Sequence, residues 1–218
     1  MNLQELTQLV SLGEGKFIEF KRQVPKPERI AKEIIAIANT NGGRLLLGVG
    51  DDGTIVGVRD AEEEEYALRQ ALNEHCDPPV EFTTVRIPVT TKREVILVNV
   101  PESRKKPHFL VNGATNGRRS AYVRVDDKSV EASKEAVRLM RAEHLSEGVV
   151  FEFGEKEQML MRYLDHYGRI SVAQFAGLAN VPLRIASQTL VLLTRANVLR
   201  LHTGLKEDYF TLAYAPSE

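Results

Sequence analysis

One stretch constrains the fold of this chain more than any other. Residues 28–40 place Ile30, Ile34, Ile37 and Ala38 at helical spacing, and the pattern stops at Asn41-Gly42-Gly43. Glycine tolerates the left-handed conformation that closes a helix, so this is a strong stop signal. Directly beyond it, Arg44 to Val49 is an apolar run of strand length. A chain that turns from an amphipathic helix into an apolar strand within a few residues needs a fold that mixes the two.

The flanks carry matching signals. Leu3, Leu6 and Val10 predict a short helix over 3–11, broken at Gly13. Phe17 to Lys21 alternates like a strand, and Pro25 and Pro27 end it. Asp51-Asp52-Gly53 joins two β-type runs and predicts a hairpin with Thr54 to Val58. Asp60 is placed to cap a helix over 61–75, whose Glu-rich first turn suits the helix dipole. Strands are predicted near 80–88 and 93–100 and over 121–125, with a basic loop running to about residue 120. Ser129 is read as the cap of a helix over 130–143. The pattern lapses over 145–154, read as a linker. Helices are then predicted over 155–167, from Ser171 to Ala179, and over 183–196, followed by strands at Val198–Leu201 and Tyr209–Leu212. Three helices and a hairpin are the order of a winged helix-turn-helix. The predicted class is α+β: a mixed sheet with helices over residues 1–145, then a small winged-helix module over 155–214.

Several functions are excluded or disfavoured at this level. No run approaches the roughly 18 apolar residues of a membrane span, so no membrane is expected. The first residues lack a basic stretch followed by an apolar one, which argues against a signal peptide. The single Cys76 has no internal disulfide partner, and a cytoplasmic setting is expected. The five histidines show no ligand spacing, so no zinc site is expected. Gly48-Val49-Gly50-Asp51-Asp52-Gly53 satisfies G-x-G-x-x-G, but β-like residues follow instead of the helix that must hold a pyrophosphate, and two carboxylates in the loop repel phosphate.

The net charge of -1 argues against a surface coated in positive charge. Charge is nonetheless segregated. Arg104, Lys105, Lys106, Arg118, Arg119 and Arg124 fall within 21 residues, while four acids stand together at Glu62 to Glu65. Phosphate contact and a solvated loop are the two readings of the basic stretch. Residues 151–218 hold seven Lys/Arg and seven acids, so the second module reads equally as a DNA reader or an assembly module.

Three blocks carry a resemblance. They are Gly13-Glu14-Gly15-Lys16-Phe17-Ile18-Glu19-Phe20-Lys21, the segment from Ala36 through Asn39-Thr40-Asn41-Gly42-Gly43 to Gly53, and Tyr122-Val123-Arg124-Val125. With Lys106-Pro107-His108, they resemble the Schlafen AlbA-2 domain over roughly residues 10–143. The chain departs from that pattern at Gly15, where the family often has Ser, and at Asp126-Asp127, where it often has Gly and small polar residues. The resemblance implies nucleic-acid binding, DNA or RNA. In bacterial members a winged helix often follows, and the role is that of a transcriptional regulator. In animal relatives, acids of the first two blocks serve a metal-dependent ribonuclease, and Glu14, Glu19 and Asp51 match those positions.

Two functions follow as expectations. The first is a nucleic-acid-binding regulator without a cofactor, working as a homodimer. Its contacts come from Lys21, Lys105, Lys106, Arg118, Arg119 and Arg124, with Arg184, Ser187 and Gln188 on the outward face of the last helix. The second is a ribonuclease in which Glu14, Glu19 and Asp51 are catalytic and hold Mg²⁺ or Mn²⁺. Against it stand two plainer readings: Glu19 paired with Lys21 or Arg22, and Asp51 serving the turn. An interaction scaffold is a third possibility. The Asn39–Gly43 segment is read either as a phosphate-approaching backbone or as a helix stop alone.

Overall fold

The computed structural model describes residues 1–111, 119–143 and 151–214; Arg118 and His144 lie outside them. In chain order the elements are α1 (Leu3–Ser11), β1 (Ile18–Lys21), α2 (Pro27–Asn39), β2 (Gly43–Leu47), α3 (Ala61–His75), β3 (Cys76–Asp77), β4 (Thr83–Thr90) and β5 (Arg93–Val100). They continue as β6 (Phe109–Leu110), β7 (Ser120–Val125), β8 (Lys128–Glu131), α4 (Lys134–Ala142), α5 (Glu155–Tyr167), α6 (Val172–Leu178), α7 (Leu183–Arg195), β9 (Leu199–His202) and β10 (Tyr209–Leu212). The chain divides into two compact units, Met1–Glu131 and Ala132–Glu218.

In the first unit, β1 runs parallel to β2, with α2 as the crossover between them, and β5 and β4 extend the sheet antiparallel in the order β1-β2-β5-β4. Strand alternation sorts its two faces. Leu45, Leu47, Ile96 and Val98 face α2 and α3, meeting Ile30, Ile34, Ile37, Leu68 and Leu72. Leu46, Val95, Leu97 and Phe20 face α1, meeting Leu6, Leu9 and Val10. A second sheet has the order β3-β6-β7-β8. It contacts α2 as well, chiefly through β7. The helix therefore lies between two sheets, and Ile30, Ala31, Ile34, Ile35, Ala36, Ile37, Ala38 and Asn39 are all buried. A helix apolar on more than one face is a core helix.

The end of α2 is where the two sheets are tied together. The buried Asn39 side chain accepts a hydrogen bond from the His108 backbone N–H (2.8 Å) and donates to the His108 and Tyr122 carbonyls (2.9 and 3.0 Å). Thr40 Oγ1 donates to the Ala36 carbonyl (2.7 Å) and accepts from the Arg124 N–H (2.8 Å). The chain then reverses through Gly42, at φ +70°, where a Cβ would lie 2.6 Å from the Glu102 nitrogen. At Gly43 a Cβ would meet the Phe17 carbonyl oxygen at 2.8 Å. The Asn-Thr-x-Gly-Gly block is thus a packing and bracing device. Its side chains are spent on the protein's own backbone, which favours the helix-stop reading.

Three sequence expectations shift. The hairpin after Gly48 is reduced to an isolated bridge, Val49 to Ile55, and Val58 instead bridges to Glu94 of β5. Ser133, not Ser129, caps α4, accepting from the Ala136 N–H (3.1 Å); Ser129 sits on β8, a strand the sequence reading missed. The strand placed at 80–88 is β4 at Thr83–Thr90, because Arg93–Val100 pairs with it antiparallel from Thr83 onward. Very short β3 and β6 were also not foreseen, since two residues carry no periodicity.

In the second unit, α5, α6 and α7 enclose a core of Leu160, Leu164, Ile170, Phe175, Ala186, Leu190, Leu193 and Phe210. Ser171 caps α6 and Gln174 returns a bond to its backbone, a capping box. β9 and β10 pair antiparallel, and Phe210 exchanges two backbone hydrogen bonds with Ile170 ahead of α6. α4 belongs to this unit and packs on α7. Among the described residues no single helix is long and apolar enough to cross a membrane.

Replacing Asn39 with alanine strands one buried donor and two buried acceptors. The expected loss is about 3 kcal/mol or more of unfolding free energy in urea. A loss well under 1 kcal/mol in that titration would mean the amide braces nothing.

Candidate functional site

The three acids expected to hold a metal are not gathered. Glu19 lies on β1 with its side chain on the side opposite Phe20, buried between the sheets. It pairs with Lys21 Nζ and with Arg124 Nη1 (2.9 Å). Glu14 is exposed and its Oε1 accepts from the Phe20 N–H (2.9 Å), an amide on the open edge of β1. Asp51 is exposed on the turn beyond β2. Glu14 and Asp51 do line one cavity of about 490 Å³ together with Asp52, but Glu19 does not reach it. Among the described residues no three His, Cys, Asp or Glu side chains are placed to hold a metal ion. The carboxylates present therefore do not fit a divalent metal in the arrangement expected from sequence.

Glu19 belongs instead to a buried ionic knot. Arg124, on β7, is fully enclosed and its guanidinium reaches Glu19, Glu33 of α2 (3.2 Å), Ser129 (3.4 Å) and the Gly15 carbonyl (2.7 Å). Ser129 also donates to Glu33, and Lys21 Nζ donates to the Phe20 carbonyl (2.7 Å). Two cations, Lys21 and Arg124, balance two anions, Glu19 and Glu33. Burial pushes the Glu19 carboxyl above its ordinary range; the Lys21 bond opposes this and the nearby Glu33 adds to it. Arg124 Nε is buried without a hydrogen-bond partner among the described residues. The knot fixes the Gly13–Phe17 turn to both sheets. The plainer sequence reading of Glu19 paired with Lys21 holds, whereas Arg124, read as a phosphate contact, is enclosed in the knot. Sequence reading missed Glu33, which the sequence does not set apart from the other charged residues of α2, Glu28, Arg29 and Lys32.

The basic stretch is largely neutralised by its own protein. Lys105 pairs with Glu81 (2.9 Å), Lys106 is buried against Glu102 (2.6 Å), and Arg119 pairs with Asp77 while covering the Phe109 ring. Their partners lie 24, 4 and 42 residues away in sequence, so proximity along the chain could reveal only Glu102. The cations of the first unit that keep no acid partner among the described residues include Lys16 and Arg44. Lys16 Nζ sits 5.5 Å from the centroid of the exposed Phe17 ring, and Arg44 stands beside Ile18 across the β1–β2 pair.

Two further groups of chemical interest are structural. His108 is buried, its Nδ1 2.7 Å from the Pro78 carbonyl and its Nε2 2.6 Å from Ser103 Oγ. The carbonyl can only accept, which puts a proton on Nδ1; burial favours the neutral imidazole, whose Nε2 then accepts from the Ser103 hydroxyl. Burial lowers its pKa below 6.5. Cys76 is buried and its thiol is pushed up to about 12, so it is a filler and not a nucleophile.

In the second unit, α6 and α7 are joined by four residues and meet at 111°. Arg184 and Gln188 are exposed on α7, as expected. Ser187 is not: it is buried, donating to Glu135 and accepting from Arg138 (2.7 Å) of α4. The sequence gives α7 no sign of this, because a serine between Arg184 and Gln188 reads as part of the same polar face.

These placements separate two kinds of cation. Arg124→Ala leaves the buried Glu19 and Glu33 with Lys21 as their one remaining cation, and is expected to cost ~3–5 kcal/mol of stability. Lys105→Ala is expected to leave the urea midpoint unchanged; equal losses in the two variants would contradict the knot. His108 adds a pH dependence. Its depressed pKa gives stability that is complete above about pH 6.5 and is lost as pH falls through the folded-state value. His108→Gln should flatten the decline in urea midpoint below pH 6.5, and an unchanged decline would remove His108 as its source.

Comparison with known proteins agrees with the first unit. Residues 14–133, more than half of the chain, match the Schlafen, AlbA_2 family. No curated protein matches. Among solved structures, the chain is similar to the DIP2311 protein from Corynebacterium diphtheriae, at 20% identity and a TM-score of 0.41; 62% of this chain and 28% of that one are covered. It is also similar to the N-terminal domain of a RecG-related protein from Nitrosomonas europaea, at 21% identity and a TM-score of 0.41, covering 60% of this chain and 94% of that one. This chain thus spans little more than a quarter of the first of these proteins, and neither likeness carries a functional argument. The family match and the braced Asn-Thr-x-Gly-Gly block agree, and the chain belongs to the Schlafen AlbA_2 family.

Proposed function

We propose that this protein binds nucleic acid, duplex DNA first, and acts as a transcriptional regulator working as a pair of copies. One observation carries the reading. α6 and α7 cross at 111° through a four-residue turn, and a β9–β10 hairpin follows. A DNA-binding helix-turn-helix joins its helices at about 90–120° and presents the N-terminal residues of the second helix to base edges. Arg184 is the second residue of α7 and Gln188 lies one turn on, both exposed. Arg suits guanine and Gln suits adenine in the major groove.

The first unit supplies backbone contacts in this reading, though not from the stretch that sequence pointed to. Lys105, Lys106 and Arg119 are already engaged by acids. Lys16 over the exposed Phe17 ring, with Arg44 beside Ile18 on the next strand, offers instead a combination suited to phosphate and to an unstacked base. Hydrolysis by Glu14, Glu19 and Asp51 is not favoured, because Glu19 would have to leave two buried cations.

Fluorescence anisotropy of the whole protein with labelled duplex DNA, single-stranded DNA and structured RNA tests the reading, with and without Mn²⁺. Affinity should fall steeply between about 50 and 200 mM salt. Arg184→Ala with Gln188→Ala should weaken duplex binding about tenfold or more, each contact being worth ~1–3 kcal/mol. Lys105→Ala should change it little. Undetectable binding to all three at low salt would sink the proposal. Mn²⁺-dependent cleavage that vanishes in Glu14→Gln would replace binding with hydrolysis.

A further inference from the structure

A cavity of about 510 Å³ opens in the second unit alongside α7. Small-molecule sites fall in the range of about 300–1,000 Å³. Its apolar wall is Phe151, Ile185 and Leu192, and its polar wall includes Arg138, Gln188 and Arg195. Charge sorts the polar groups further. Glu157 is buried and satisfied, accepting from the Gly154 N–H (3.0 Å) and pairing with Lys156 (3.0 Å), so these two charges cancel. Arg138 is held in place by one bond to the buried Ser187, and its other N–H groups meet no partner among the described residues. Arg195 pairs with no carboxylate among the described residues. Against these two guanidiniums the lining sets one further acid, Glu152. The lining therefore carries a net +1, from Arg138, Lys156 and Arg195 against Glu152 and Glu157.

We propose that this cavity is a binding site for a small organic monoanion, a single carboxylate or its equivalent on a hydrocarbon or aromatic body. The anionic head meets the Arg138 and Arg195 guanidiniums, whose planar forks match a carboxylate. The apolar body lies against Phe151, Ile185 and Leu192. Ser187 and Glu135 act as the brace that keeps Arg138 aimed, through a bridge from α4 to α7. Gln188 lines the cavity and is exposed on α7, so an occupant touches the helix assigned above to nucleic acid. The site itself does not depend on that assignment.

The chain contains no tryptophan, which gives a clean reporter. Phe151→Trp in the whole protein places the only indole in the cavity wall. Titrating this variant with octanoate, with no nucleic acid present, should give a saturable change in tryptophan emission. Adding Arg138→Gln and Arg195→Gln to the reporter should weaken the response at least tenfold, and Arg195→Gln alone, which breaks no ion pair among the described residues, should weaken it with thermal unfolding unchanged. Octylamine, of the same length and opposite charge, should give no saturable response, and neither should inorganic phosphate. An equal response to octylamine, or an undiminished octanoate response in the double-arginine variant, would overturn the proposal. So would an emission already shifted by self-association at high protein concentration, because a second copy would then fill the cavity. Calorimetry of the unsubstituted protein with octanoate repeats the test without the indole; no heat there and no emission change in the reporter would likewise overturn it.

Discussion

The first unit depends on one side chain. Asn39 is the last residue of a helix that lies between two sheets, and its amide is bonded on both of its ends to the second sheet and the segment leading into it. The contacts of α2 with either sheet are otherwise apolar and non-directional. Hydrophobic packing sets that the helix is covered, but it does not choose a register. A buried amide does choose one, because its donors and acceptor are met in a single placement only. Thr40 and the Ser103 N–H bond to the Ala38 carbonyl (3.0 Å) extend the same clamp. The glycines then turn the chain within a space too tight for any Cβ, so β2 starts where the clamp leaves it.

The ionic knot around Arg124 is the electrostatic counterpart of this clamp. Four charges are removed from water together, and their mutual compensation makes that tolerable. Two of the four belong to residues that a reader of the sequence would hand to phosphate. Their burial shows why composition-level arguments about basic residues mislead in a nearly neutral protein. With 29 basic and 30 acidic side chains, a cation can meet an internal acid before any external one, as Lys21, Lys105, Lys106, Arg119 and Arg124 do. The cations without an acid partner among the described residues, such as Lys16, Arg44, Arg104, Arg184 and Arg195, are scattered in sequence.

Legibility followed periodicity. α1, α2, α3, α5 and β5 were read within a residue or so at each end, because each spans enough turns or alternations to carry a pattern. The two-residue β3 and β6 carry none, and β8 was swallowed by the helix after it because Ser129 resembled a cap as well as Ser133 does. The candidate site was legible in composition and illegible in pairing. Glu19 and Arg124 are 105 positions apart, and only the meeting of β1 with β7 joins them. Likewise Glu135 and Arg138 gave no joint signal with Ser187, since about fifty residues and two helices, α5 and α6, separate them.

The allegiance of α4 bears on how this protein can be divided. The helix follows β8 directly in sequence, yet its packing partner is α7. Dissection by sequence pattern, ending a fragment at residue 145, would carry α4 away and leave Ser187 and the apolar face around Val191 uncovered in what remains. A cut near Ala132 keeps both halves of that contact on one polypeptide. Each fragment then retains its own interior, so their separate folding becomes a fair comparison with the whole.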